Sequence, residues 1–338
     1  MDVEPVDPRD HGAFADWFAV LEAAELFDRP GEHDSLLGEE HRTVLDGAGP
    51  DPDTRYVLLA TRQEGAFVGI ARLALPQRDN RHMVELDLAV HPAARRRGLG
   101  RALLGEVEQR AREQGRTTVA GFSDEPPGTE GRSAGRLACL RLGYEVVQEE
   151  VRRDLDLPLD AERVADLERT CLPYARDYEL RTWVDRCPDD LVDDRAELSR
   201  VMSTDVPLDR LDWHEEVWDA ARVRRQESLA QDMDRTVVNA GAVHVPTGRL
   251  VAYTQQAFPR SRPERAFQWD TLVRSEHRGR RLGTLLKLAS LAELGRLSPA
   301  TRYVSTWNAQ ENTSMIAVND ALGARTNGRI GTLQKVLA

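Results

Sequence analysis

The chain has 338 residues, 41% of them apolar, enough for two packed cores at the usual domain size of about 100–200 residues. Its formal net charge is −11, which argues against a nucleic-acid binder and suits a cationic partner such as an amine or a basic peptide. No run approaches the ~18 apolar residues of a membrane span, and Met1-Asp2-Val3-Glu4 opens no targeting segment, so a cytoplasmic protein away from membranes is expected.

The first half opens with a strand, Val3 to Val6, and a helix near His11–Ala24. The loop-like Phe27-Asp28-Arg29-Pro30-Gly31 and another helix to about Leu45 follow. Next comes a hairpin: Tyr56 to Ala60, a turn at Gln63-Glu64-Gly65, then Phe67 to Leu75. Val84 to Val90 alternates apolar and polar residues as a strand does. After it, Leu99, Leu103, Leu104, Val107 and Ala111 recur at helical spacing up to Gly115. Thr117 to Phe122 reads as a strand, 123–135 as a loop, and a short helix leads to Leu142-Gly143-Tyr144 and a strand from Glu145 to Leu155. Leu159–Asp177 carries Leu159, Val164 and Leu167 and reads as a linker helix.

The plan then repeats from Tyr178-Glu179-Leu180. A hairpin spans Thr236 to Val245 and Leu250 to Phe258, with a strand from Phe267 to Val273. A helix from about Arg280 to Leu294, a strand from Tyr303 to Trp307 and Leu322-Gly323-Ala324 follow. The repetition is literal in places: residues 67–103 and 250–286, displaced by 183 positions without a gap, are identical at 10 of 37 positions. One displacement near half the chain length means a duplicated domain, since solenoid periods run to about 20–50 residues. The expected division is 1–157, a linker at 158–177, and 178–338.

The best-kept stretch is Arg95-Arg96-Arg97-Gly98-Leu99-Gly100, with Arg278-Gly279-Arg280-Arg281-Leu282-Gly283 as its worn copy. Each lies where a strand turns into a helix, so the first helical N–H groups face outward and an anion can dock on them. Glycine lets the backbone come close, and the arginines suit a ligand carrying several phosphates. No G-x4-G-K-[ST] string exists, and Leu103 stands where a dinucleotide-binding turn needs its third glycine. Three cysteines and eight scattered histidines have no metal-ligand spacing, so no metal is expected. The basic residues are 44 arginines and only two lysines, Lys287 and Lys335, a bias read as codon usage.

The pattern [QR]-x-x-G-x-G after Leu88-Ala89-Val90-His91-Pro92 resembles the GNAT N-acetyltransferase superfamily, here as two tandem modules, with mycothiol synthase a relative in architecture. The resemblance implies a mixed α/β fold in each half, acetyl-CoA as co-substrate, and a cationic amine of a small molecule or peptide as acceptor. It implies a monomer or homodimer with no nucleic-acid partner. The pyrophosphate is then expected on Arg95, Arg96, Arg97, Gly98, Leu99, Gly100 and Arg101, or on Arg278, Gly279, Arg280, Arg281, Gly283 and Thr284. Arg281 keeps its N–H available if its φ is negative. Backbone N–H groups near Leu88, Ala89 and Val90, or Thr271, Leu272 and Val273, are expected to face the thioester.

The two halves have lost different things. The first keeps both glycines but has the 123–135 loop where relatives carry an Asn-containing helix, and Cys139 where many place a tyrosine acid. The second keeps Asn308 and Asn312 as implied cofactor contacts, with Asn319 at the tyrosine position. Asp87 and Asp270 are the candidate bases, expected on one strand face with Glu85 and Gln268 respectively. Both also suit a structural ion pair. Trp213, His214, Glu215, Glu216 and Trp218 are expected on a helix, packed inward or lining an amine site. The rival to an acetyltransferase is a CoA-binding scaffold without turnover.

Overall fold

The computed structural model describes residues 2–30, 53–205 and 208–337. The described chain divides into two compact units. The first comprises Met1–Glu149, Asp209–Trp213 and Gly328–Ala338; the second comprises Glu150–Leu208 and His214–Asn327.

In the first unit the strands run in the order β1 (Val3–Val6), β2 (Thr54–Gln63), β3 (Ala66–Pro76), β4 (Met83–Val90), β5 (Thr118–Glu125) and β12 (Arg325–Val336). The β4–β5 pair is parallel and the other described pairs are antiparallel. Helix α1 (His11–Asp28) starts on Asp10, whose carboxylate accepts from the N–H groups of Gly12 and Ala13. It buries Phe14, Trp17 and Phe18 against Leu58, Ala60 and Ile70. Helix α2 (Leu99–Glu113) lays Leu103, Leu104, Val107 and Ala111 on Leu73, Leu75, Val84 and Val119. Each fully buried leucine is worth roughly 1.5–3 kcal/mol, so this stripe fixes where α2 begins. Helix α3 is Ala134–Arg141.

The second unit repeats the plan with β6 (Glu145–Asp156), β11 (Tyr303–Ala309), β10 (Arg265–Val273), β9 (Arg249–Pro259), β8 (Arg235–His244) and β7 (Tyr178–Val184). Its helices are α4 (Ala161–Cys171), α5 (Val192–Asp205), α6 (Ala220–Asp232), α7 (Leu282–Leu297) and α8 (Thr313–Leu322). α7 is buried on most sides, through Leu282, Leu285, Leu286, Leu288, Leu291 and Leu294.

The units do not follow the division 1–157, 158–177 and 178–338. β12 pairs with β5 along its length, Arg329 opposite Glu125 to Val336 opposite Thr118, and Leu333 and Leu337 lie in the first unit's core. β6 supplies Glu150–Asp156 to β11, and Leu155 lies in the second unit's core. Each unit therefore takes its closing strand from the other half of the sequence. Leu159–Asp177 is no free linker either, because Leu159, Val164 and Leu167 pack on that second core.

Other departures are local. α1 continues through Phe27 and Asp28, and β5 continues through Ser123–Glu125. Residues 211–219 form no helix. There Asp219 caps α6 by accepting from the Arg222 N–H, so the helix begins only after Trp218. Trp218 instead lies under the Arg222 guanidinium at 4.3 Å and donates to Glu216 at 2.8 Å. The helix expected up to Leu45 lies outside the described residues.

Deleting residues 328–338 is expected to open β5 and leave β11 intact. Hydrogen exchange checks this: the 118–125 amides should lose protection while those of 303–309 keep it. Equal protection of β5 in the truncated and full chains contradicts the exchange of closing strands.

Candidate active site

Both arginine-rich turns are built alike. In the first, Arg95 donates from Nε to the Val90 carbonyl at 3.1 Å and grips Asp28 with both terminal nitrogens at 2.7 and 2.8 Å. In the second, Arg278 donates to the Val273 carbonyl at 3.2 Å and pairs with Asp205. These two arginines brace the turn rather than wait for phosphate. Arg97 is also engaged, with Gln63 and the Ala93 carbonyl. Arg96, Arg101 and Arg280 are exposed and make no ion pair among the described residues.

The turn needs two residues in the left-handed region, and the copies divide them differently. Arg96 has φ 68° and Gly98 φ 87°; at the equivalent places Gly279 has φ 77° and Arg281 φ 59°. Each copy spends a glycine on one position and an arginine on the other. The condition of a negative φ at Arg281 is therefore not met, and the residue carries roughly 1–2 kcal/mol of backbone strain.

What the turns share is an open helix start. α1, α3, α4, α6 and α8 are each capped by their own Asp10, Ser133, Asp160, Asp219 or Asn312 side chain. α2 and α7 begin on Gly98 and Arg281, neither of which makes a side-chain cap bond. The Ala102 N–H bonds to the Gly98 carbonyl and the Leu285 N–H to that of Arg281, so the N–H groups of Leu99, Gly100 and Arg101, and of Leu282, Gly283 and Thr284, stand ahead of the ladder. A Cβ at Gly98 meets nothing within 4 Å, so the space above the turn is open. A diphosphate fits such a start. The side chains of Leu99, Leu272 and Thr284 are themselves buried, so only their main chain can serve a ligand.

Beside each helix start two parallel strands part. β4 and β5 pair from Met83/Thr118 to Leu86/Gly121, yet β4 runs on to Val90. A Cβ at Gly121 would sit 2.6 Å from the Leu86 carbonyl oxygen, so the strands meet tightly where pairing ends. β10 and β11 pair only from Arg265/Tyr303 to Phe267/Ser305, while β10 continues to Val273. Leu88, Ala89 and Val90, and Thr271, Leu272 and Val273, lie on these stretches, which keep their antiparallel partners in β3 and β9 and lose only the parallel one.

The candidate bases differ sharply. Asp87 stands directly across from Arg72 and accepts from its Nε at 2.6 Å. In β10 the register shifts between Gln268 and Thr271, a bulge that sets both Trp269 and Asp270 against the single Gln255. Strict alternation breaks there, so Asp270 does not share a face with Gln268 as expected. The Gln268 amide instead donates to the main-chain carbonyls of Gln255 and Asp270, at 2.6 and 2.8 Å. Asp270 accepts from the Tyr253 hydroxyl at 3.0 Å and forms no ion pair among the described residues. Tyr253 is fully buried; burial, helped by the Asp270 carboxylate, raises its phenol well above the usual tyrosine range. Arg195 of α5 covers the Tyr253 ring at 3.7 Å and donates to Gln255 at 2.6 Å. Neither Arg195 nor Gln255 carried a motif that sequence alone could reveal.

The asparagines fall into two groups. Asn312 is the cap of α8, accepting from the Met315 N–H at 3.1 Å, which occupies the oxygen expected to meet a cofactor. Asn308 accepts from Asn319 Nδ2 at 2.6 Å, and Asn319 Oδ1 accepts from Lys287 Nζ at 2.6 Å. Lys287 is buried, and burial alone pushes its ammonium down to about 7. Its sequence signal was a lone lysine inside Leu285-Leu286-Lys287-Leu288. In the first unit, counting from the parallel register, the exposed ring of Phe122 holds the place of Asn308. Glu125 there is fully buried, accepting from the Gly131 N–H at 2.6 Å and Ser133 at 3.0 Å, and burial raises the Cys139 thiol.

Two pairs of parting parallel strands, each beside an uncapped helix start, give both units one plan. Residues 17–126 match the acetyltransferase (GNAT) family. Over 97 residues the chain is 34% identical to the mycothiol acetyltransferase of Stackebrandtia nassauensis, a match taking in 28% of this chain and only 30% of that protein's length. Across 99% of this chain and 98% of the other it is similar to a tandem GNAT protein from the clavulanic acid biosynthesis pathway, at TM-score 0.79 and 29% identity. A GCN5-related N-acetyltransferase from Sphaerobacter thermophilus shares the fold at TM-score 0.66 and 17% identity, over 99% and 95% of the two chains. Residues 17–126 thus match the GNAT acetyltransferase family, and the chain as a whole shares the tandem GNAT fold. Among the described residues no helix is long and apolar enough to cross a membrane.

The buried lysine makes a pH prediction. Lys287 binds its proton less tightly when folded, about 7 against an ordinary 10.5, so between those values the unfolded chain holds more protons and stability rises with pH. Lys287→Met is therefore expected to be more stable than the parent by a few kcal/mol at pH 7 and below, at about 1.4 kcal/mol per pKa unit. The gain should shrink through pH 8–10 and vanish above it. Chemical denaturation of both proteins at pH 7 and pH 10 checks this; the same difference at both contradicts it.

Proposed function

We propose that the chain is an acetyl-CoA-dependent N-acetyltransferase that acetylates a primary amine of a small molecule or peptide by direct attack on the thioester, with the second unit doing the chemistry. The observation that carries the choice of unit is Asp270: a carboxylate on the parted strand, held by a buried tyrosine and unpaired with any described cation, where its counterpart Asp87 is neutralised by Arg72. A formal charge of −11 supports a cationic acceptor.

When bound, acetyl-CoA supplies the activated acyl carbon and a thiolate leaving group. The α7 start, through the N–H groups of Leu282, Gly283 and Thr284, would hold its pyrophosphate, with Arg280 and Arg281 adding charge. Main-chain N–H on the Thr271–Val273 stretch would face the acyl oxygen as charge develops there. Asp270 would take the proton that the ammonium acceptor must lose, directly or through one water; the freed amine nitrogen would then bond to the acyl carbon and give up its second proton to the departing sulfur as the C–S bond breaks, leaving the amide and the CoA thiol. Tyr253 holds the Asp270 carboxylate in place for this. The first unit, with Gly98 and the open start of α2, would serve as a second CoA site on the amides of Arg96–Arg101.

A CoA-binding scaffold without turnover is the second reading, favoured by Cys139 and Asn319 standing where relatives place a tyrosine acid. Thiol release over a broad amine panel separates the readings: binding without acetyl-CoA consumption on any amine supports the scaffold. For the enzyme, Asp270→Asn should lose about a hundredfold or more in turnover while acetyl-CoA affinity holds, and Asp87→Asn should stay near wild type. An inactive Asp87→Asn beside an active Asp270→Asn reverses the assignment of the working unit.

A further inference from the structure

In the second unit a buried amine ends a file of amides. Lys287 on α7 donates to Asn319 on α8, and Asn319 donates to Asn308 on β11, both at 2.6 Å. Asn308 stands three residues past Ser305, the last residue of β11 paired with β10, and so beside the parted stretch. Lys287 and Asn319 are buried at 3% and 2% exposure, while Asn308 is half-buried, so the file runs from the core toward the surface.

The direction of the file follows from hydrogen-bond chemistry. An ammonium has three donors and no acceptor, and the neutral amine still offers two N–H groups. Facing that donor, the Asn319 amide must turn its oxygen to Lys287 and its NH2 to Asn308. Asn308 then accepts through Oδ1 and is left with Nδ2 outward. Among the described residues nothing accepts from Asn308 Nδ2. Without the lysine both amides could flip together at little cost, and the flipped arrangement would turn the Asn308 oxygen outward.

We propose that Lys287 is a positioning residue of the second unit's acyl-CoA cleft: it fixes the direction of the Lys287–Asn319–Asn308 file, so that Asn308 presents N–H groups to a carbonyl of the acyl-pantetheine arm. The inference rests on the second unit binding acetyl-CoA, as proposed above, and adds the group that sets the polarity of that contact. It accounts for a lysine kept in the most buried helix of a chain that otherwise uses arginine, at a site where an apolar side chain would be more stable. Among the described residues the first unit has no such file, since Phe122 holds the place of Asn308.

The chain's two lysines make the test direct. Labelled with 13C at lysine Cε, the full-length protein gives two side-chain signals, and Lys335 is held apart in the first unit by Glu108 at 2.8 Å and the Leu142 carbonyl at 2.9 Å. The titration uses CoA on the Gly98→Val variant, which blocks the first helix start, with calorimetry counting the remaining site. One site, a shifted Lys287 signal and an unmoved Lys335 signal are expected. Lys287→Met and Asn308→Asp in the same background should each weaken CoA binding about tenfold, the worth of one well-placed hydrogen bond, and together hardly more than either alone. One filled site with an unmoved Lys287 signal overturns the inference, as does full multiplication of the two losses. No binding at all in Gly98→Val removes the second unit's site, and the inference with it.

Discussion

Two parallel strands that stop pairing partway along govern everything else in each unit. While β4 follows β5, or β10 follows β11, the ladder satisfies both edges. Past Leu86 and Phe267 the strands run on without each other, and main-chain groups that cannot stay unpaired in a dry interior are left facing a cleft. A helix that starts at the end of the same strand, with no side chain across its first turn, adds further free N–H groups. Arg95 and Arg278 hold that start against the strand by bonding its last carbonyl, at Val90 and Val273. An opening and an uncapped helix start thus come from one stretch of chain, and both copies carry it.

Around that common frame the copies have diverged through single substitutions that change the electrostatics. Arg72 faces Asp87 in the first unit; its equivalent Gln255 has no charge to give Asp270. Ile70 is replaced by Tyr253, which supplies a hydroxyl to the carboxylate. The bulge at Trp269–Asp270 turns the strand so that this pair can meet. On the other side of the cleft the first unit closes on a buried Glu125, while the second keeps three polar side chains in file. The first unit has thus kept the cradle with the better glycine, and the second has kept the polar chemistry.

The sequence showed the duplication, most strands and the two turns, because alternation, helical spacing and glycine placement are local signals. Three features escaped it for physical reasons. The partners of β6 and β12 depend on which sheet edge each strand meets, and an alternating pattern is the same at either edge. The bulge in β10 leaves no gap between residues 67–103 and 250–286, since the extra residue is offset by a β9–β10 connection one residue shorter than that between β3 and β4. Lys287 was visible as a letter but was read with the arginine bias, and only burial against Asn319 gives it meaning. Trp213–Glu216 failed in the other direction, where the family resemblance implies a helix that the cap at Asp219 starts later.

The claim on which the account turns is that the uncapped starts of α2 and α7 hold the phosphates of acetyl-CoA on main-chain N–H groups. Hydrogen exchange of the intact protein, with and without saturating acetyl-CoA, reads those groups directly. Marked slowing is expected at Leu99, Gly100 and Arg101 and at Leu282, Gly283 and Thr284, with the capped start of α1 at Gly12 and Ala13 unchanged. Unaltered exchange at both open starts, with acetyl-CoA bound, would contradict it.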